Sequence, residues 1–218
     1  MRLVLSSWYL RDGQSPSALR PSGGSGRAGI VFNALDEFGP ARDRVLDRER
    51  RPLEDLGYGC EELDLRRYFD DPDALRTRLD ALDLVWAVGG NSFVLARSMV
   101  ASGFVDTVRA RLVDPTFVYG GYSAGSVVCG PDLVGIDLVD EPAAIPDGYP
   151  SDAEPACMGL ISFRILPHWR SDHPESAAID RVEAFLSEKG LDYRCLHDGQ
   201  AYVVTDGTVE LCDLDADA

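Results

Sequence analysis

The chain has 218 residues, 45% of them hydrophobic and 27% charged, the composition of a folded globular protein with length for one sizeable domain over 1–218. Its formal net charge of −16 excludes the classes that bind through a basic surface, nucleic-acid binders and proteins of anionic membranes. The five cysteines (Cys60, Cys129, Cys157, Cys195, Cys212) are scattered without a C-x-x-C pair, which argues for reduced thiols, a cytoplasmic setting and no zinc ribbon.

Apolar runs alternate with helical patterns along the chain, the signature of an α/β fold with a mostly parallel sheet and helices on both faces. The N-terminal run is too short for a signal peptide and reads as a first strand, Leu3–Ser6. A Ser-, Gly- and Pro-rich stretch, Asp12–Arg27, reads as a mobile surface loop. Strands follow at Gly29–Asn33 and Cys60–Leu63, separated by a helix from Ala41 that Pro52 is expected to kink or split. Asp71-Pro72 is a helix start: a capping carboxylate before a proline at the first helical position, with Leu75, Leu79 and Leu82 on one face.

The strand Leu84–Val88 ends in Gly89-Gly90, and Asn91 reads as the cap of the next helix. Next comes Thr116–Tyr119, running into Gly120-Gly-Tyr-Ser-Ala-Gly-Ser126 and a helix. Gly121-Tyr-Ser123-Ala-Gly125 fits the G-x-S-x-G nucleophile elbow, in which a strained serine sits on a sharp strand-to-helix turn between small residues. The Pro-rich stretch Pro131–Met158 reads as a long irregular excursion, and such loops are functional covers or disordered.

A strand near Ile161–Leu166 leads to Leu166-Pro-His168, which places a histidine at a sheet edge, where open α/β sheets bind ligands. A serine nucleophile needs a base of near-neutral pKa, and the chain has three histidines, His168, His173 and His197. His168 and His173 could also ligate a metal, but no third ligand stands at a familiar spacing, so no metal or cofactor is expected. Asp172 and Glu175 read as a capping pair for a helix with Ile179, Val182, Phe185 and Leu186 on its core face. Strands at Tyr193–Leu196, Ala201–Thr205 and Val209–Cys212 close the chain.

Taken in order, Gly-Gly-Asn-Ser-Phe93, Gly-Tyr-Ser-Ala-Gly-Ser126 and Leu-Pro-His168 resemble the peptidase E (aspartyl dipeptidase) and cyanophycinase family of serine peptidases, from the first strand to about Thr205. The resemblance implies the class I glutamine amidotransferase-like fold, with Ser123 as nucleophile and His168 as base. It puts the acid at Asp198, where relatives more often carry glutamate, with Asp137 as the rival. It implies an oxyanion hole from the N–H groups of Gly90 and Ala124, and a small peptide substrate, which relatives suggest begins with an acidic residue. Asn91, Arg170 and Arg181 are then the candidate substrate contacts, the two arginines as partners for an acidic side chain. A homo-oligomer is compatible with all of this. The competing readings are an esterase ordered Ser123, Asp137 or Asp140, His197, and a binding module that kept the fold without turnover.

Overall fold

The structure is a computed structural model that describes residues 1–11, 14, 16–21, 23–39 and 41–214, with the side chains of 41–44 excepted. Its centre is a seven-stranded sheet in the order β3-β2-β4-β5-β1-β8-β9. The strands are β1 (Arg2–Ser6), β2 (Arg27–Val31), β3 (Gly59–Glu62), β4 (Leu84–Ala87), β5 (Val118–Tyr122), β8 (Gln200–Thr205) and β9 (Thr208–Asp213). The first five are parallel to one another, while β8 and β9 run antiparallel at one edge. A separate parallel pair, β6 (Arg164–Leu166) with β7 (Tyr193–Cys195), carries the strand before His168.

Both faces of the large sheet are covered, which is why its strands read as continuous apolar runs. On one face Leu3, Leu5, Val85 and Tyr119 pack with α2 (Pro72–Asp80), α3 (Ser92–Ala101) and α4 (Phe104–Arg111). On the other, Val4, Ile30, Trp86 and Val118 pack with Leu53 and Leu56 at the end of α1 (Ala41–Asp55). A smaller cluster seats Ile179, Val182 and Leu186 of α6 (Ser176–Glu188) on Leu166. No helix among the described residues is long and apolar enough to cross a membrane.

Four local expectations change. Part of Asp12–Arg27 is packed: Ser17–Leu19 forms a 3-10 turn, Leu19 is fully buried, and its carbonyl accepts a 2.8 Å bond from Tyr58 Oη, while Gly23–Ser25 lie exposed at the surface. Asp12, Gly13, Ser15 and Ser22 lie outside the described residues. Pro52 does not split α1, which continues to Asp55 with the proline buried in its last turn. Asp172 and Glu175 do not form a capping pair: α6 begins only at Ser176, and Glu175 at its cap position makes no side-chain cap bond. Strand β5 runs through both glycines to Tyr122, because Gly120 lies against the Trp86 ring and Gly121 against Ala87 O, and a Cβ at either would collide.

At the next turn the same crowding is tighter. A Cβ on Gly125 would strike the Ala87 carbonyl, so β4 and the helix after β5 meet with no space for a methyl group. Gly125→Ala is therefore expected to destabilise the protein by about 1–3 kcal/mol, the range for overpacked cores, as read by urea denaturation.

Candidate active site

Three parallel strands end together at the carboxyl edge of the sheet, where open α/β sheets place their ligands. Register pairs Ser6 of β1 with Tyr122 of β5, and Ala87 of β4 with Gly121 of β5. The residues just past each strand, Ser7-Trp8, Gly89-Gly90 and Ser123, consequently converge. Ser123 has φ 50° and ψ −117°, a left-handed conformation that a serine adopts only under constraint. The constraint is visible on both sides: Ser123 N donates to Ser6 O at 3.3 Å, and Ser126 N and Val127 N both reach Ser123 O at 2.9 Å, opening the short helix α5 (Ala124–Val127). Ala124, its first residue, has no intrahelical use for its N–H.

His168 comes from the segment after β6 and is also held at positive φ, 58°. It is fully buried. Its Nδ1 lies 2.7 Å from Asp198 Oδ1, and its backbone N–H donates to Ser7 Oγ at 2.8 Å. Ser7 Oγ in turn donates to Asp198 Oδ1 at 2.7 Å, and Ser171 Oγ accepts the Asp198 N–H at 2.8 Å. Burial alone would raise the Asp198 carboxyl, but the bonds from His168 and Ser7 outweigh it and hold the group below the usual carboxylate range. Because Asp198 occupies Nδ1, the other ring nitrogen, Nε2, is the one left to exchange a proton with a substrate or nucleophile, and it has no partner among the described residues.

His168 and Ser123 line one cleft of about 290 Å³, lined also by Trp8, Gly89, Gly90, Tyr122 and His173. Trp8 meets the His168 and His173 rings edge-on, at 5.1 and 4.6 Å, and the two imidazoles stack at 3.7 Å with an 11° angle between planes. His173 Nδ1 accepts the Glu175 N–H at 3.2 Å, and burial, then the charge of His168, push the His173 ring below the ordinary histidine value.

The structure brings Ser123, His168, Asp198 and Gly90 to one strand edge, with Ala124 next in the chain. The other candidates stand elsewhere. Asp137 is exposed on the 3-10 turn Ile136–Leu138. His197 packs on Trp169 at 4.9 Å and lines a separate cavity with Arg170 and Asp172. In place of a substrate contact, Arg170 lies over the Trp169 ring, 4.2 Å from its centre. Arg181 is exposed on α6, bonded to Ala177 O. Asn91 is buried in service of α3: its Oδ1 accepts from Phe93 N and Val94 N, and its Nδ2 donates to Glu141 O.

Three residues at the site carried no readable signal. Ser7 and Trp8 follow an unremarkable first strand, and their place depends on β1 lying beside β5. Arg48 lines the cleft from α1, and Asp140, a candidate acid of the esterase reading, lines it from the Pro-rich excursion. That excursion is tied down: Arg97 donates to Ala153 O and Pro142 O, Tyr149 Oη to Asp36, and Asp140 Oδ2 accepts from Ser92 N at 2.8 Å. Glu175 supplies the third potential metal ligand that the spacing did not reveal, with ligand atoms of His168, His173 and Glu175 within 4.8 Å of one another. Imidazole binds a metal in its own plane, so two rings stacked face to face cannot converge on a single ion.

Fold and site together define an α/β protein whose central strand β5 turns sharply at Ser123 into a short helix, the geometry of the G-x-S-x-G elbow. The chain belongs to peptidase family S51, whose model matches residues 39–212. It is 29% identical over 162 residues to peptidase E of Streptomyces coelicolor, covering 72% of this chain and 60% of that protein. It is 26% identical to a Drosophila melanogaster protein provisionally named alpha-aspartyl dipeptidase, covering 72% of this chain and 62% of that one. The chain thus spans about three fifths of the length of the curated relatives it matches. Among solved structures, a Listeria monocytogenes protein provisionally described as peptidase E superposes with a TM-score of 0.73 at 17% identity, covering 97% of this chain and 98% of that one. A peptidase from an acI-B1 Actinobacterium gives 0.68 at 15% identity, with coverages of 97% and 87%.

Proposed function

We propose that the protein is a serine peptidase that cleaves short peptides through an acyl-enzyme on Ser123. The observation that carries this reading is the His168–Asp198 contact of 2.7 Å, on a histidine that lines the same cleft as Ser123 and whose Nε2 has no partner among the described residues. Ser123 Oγ attacks the peptide carbonyl as His168 Nε2 takes its proton. The Ser–O–C bond forms, and the carbonyl electrons go to an oxyanion, for which the N–H groups of Gly90 and Ala124 are the proposed donors. Collapse expels the amine, protonated by His168, and water repeats the sequence to release the acid. In the resting protein Ser123 and His168 make no hydrogen bond to each other, and such bonds commonly form only with substrate in place.

An N-terminal aspartate as the preferred first residue has its support in the relatives' names alone. Among the described residues the cleft offers one guanidinium, Arg48, and it is already bonded to Glu49 Oε1 and Tyr122 Oη. The direct test is a dipeptide and isopeptide screen with released amino acids read by mass spectrometry, run with and without EDTA. Hydrolysis that persists undiminished in EDTA is the expected result. Inhibition reversed by one particular divalent ion defeats the serine mechanism.

A further inference from the structure

We propose that Glu49 is a positioning residue for the nucleophile elbow: through the Tyr122 hydroxyl it sets the gap between Ser123 and Gly89-Gly90, the strand end that carries a proposed oxyanion donor. The inference rests on the peptidase reading and adds to it a residue outside every sequence motif.

Glu49 lies on α1 with 3% of its surface exposed, and the proposed chemistry does not use its carboxylate. Its Oε1 accepts from Arg48 Nε at 2.9 Å, from Arg48 Nη2 at 2.6 Å and from Tyr122 Oη at 2.9 Å. Arg48 Nη2 also donates to Tyr122 Oη at 3.1 Å, so the phenol both donates and accepts within a closed triangle. Burial pushes the Glu49 carboxyl up, against the charge of Arg48 and the bonds from Arg48 and Tyr122. A buried pair of this kind is weak evidence for stability, since apolar side chains of similar volume commonly serve a fold as well. What it adds here is direction. It pins the far end of a ring that belongs to the residue just before Ser123.

That ring acts as a spacer. Tyr122 is 2% exposed, with Trp8 edge-on at 5.8 Å and Trp86 at 6.3 Å. Gly89 lies between the ring and the nucleophile: a Cβ there would come within 2.7 Å of Tyr122 Cε2 and 3.0 Å of Ser123 Cβ. On its other side the strand end is held by Ala34, whose carbonyl accepts from Asn91 N at 2.9 Å and leaves no space for a Cβ on Gly90. Gly89-Gly90 is thus confined between Tyr122 and Ala34. A shift of the phenol passes to the Gly90 N–H, the group proposed to meet the oxyanion.

Fluorophosphonate labelling of Ser123 in the whole protein reads this gap, because the probe's phosphonyl oxygen takes the oxyanion position. The rate constant, unlike the yield, reports folded molecules alone. In Tyr122→Phe, which keeps the ring and deletes both of its bonds, the maximal labelling rate is expected to fall about tenfold, part of the roughly hundredfold cost of losing an oxyanion donor. The half-saturating probe concentration should stay close to its original value. Glu49→Leu should show the same loss and the double variant no further loss, because both act through one bond. Glu49→Gln keeps an acceptor for the phenol and should lose less. A polar cluster that served the fold alone would lower the melting point of these variants and leave the labelling rate unchanged. That result in folded Tyr122→Phe or folded Glu49→Leu overturns the inference, as do additive losses in the double variant or a loss confined to the half-saturating concentration. In each of those cases Ser123 of the unaltered protein still labels and the peptidase reading stands. Unaltered, folded protein that never labels overturns that reading, and this inference with it.

Discussion

Ser123→Ala is expected to lower peptide hydrolysis a thousandfold or more while leaving the thermal unfolding midpoint close to its original value. The loss is that large because nucleophile, base and acid act as a unit: without the hydroxyl, His168 has no proton to take and no acyl-enzyme forms. The fold should survive because the Ser123 side chain makes no hydrogen bond that holds the turn. The turn is held by backbone bonds to Ser6 O and from Ser126 N and Val127 N, and by the glycines on either side. Alanine bears the same positive φ at much the same cost as serine. Activity retained in the variant would require another nucleophile, and Ser126 is not available: it is fully buried, with its Oγ within 2.8 Å of Ser6 O and 2.9 Å of Gly121 O. Single-turnover assays and a melting curve on the same preparation separate loss of chemistry from loss of fold.

The elbow was legible because its chemistry is local. The strain at Ser123, the crowding at Gly121 and Gly125, and the helix that follows all lie within a few residues of one another, so the pattern of small residues around a serine reports them directly. The helix starts at Asp71 and Asn91 were legible for the same reason, since a cap is a contact over two or three residues. The contact proposed to orient the base was legible only through resemblance: Asp198 is 30 residues from His168, and β6–β7 pairing with the Leu196 N to Leu166 O bond brings them together. Ser7 was out of reach, because its contact to His168 spans 161 positions and exists only through the order of the sheet. Arg170 and Arg181 misled for a related reason. Closeness in sequence to His168 says nothing about direction, and the left-handed backbone at Arg170 sends its side chain over Trp169. Among the described residues, Arg48, on a helix far from every motif, is the arginine that lines the cleft.

Asp198→Asn should reduce turnover by roughly a hundredfold or more with the shape of the site preserved. In the unaltered protein Asp198 Oδ1 accepts the Nδ1 proton of His168, which fixes the tautomer with a free lone pair on Nε2, the atom that must take the serine proton. Asparagine can present an N–H to Nδ1 instead, which drives the ring proton onto Nε2 and leaves the base unable to act. It also removes the negative charge that stabilises the imidazolium formed during attack. The carboxylate sits below its usual range, so the variant should also lose the part of stability that this contact supplies above the unfolded carboxyl value, a part lost as pH falls through the folded one. At mildly acidic to neutral pH the melting point should therefore fall in Asp198→Asn, and the gap to the unaltered protein should close in strong acid. Asp198→Glu keeps the charge and the acceptor, and should retain much more activity than the amide. Equal loss in the two variants would mean that side-chain length at this position, and not the proton on His168, limits the reaction. Asp137→Asn, on its exposed turn away from the cleft, should cost little in the same assay.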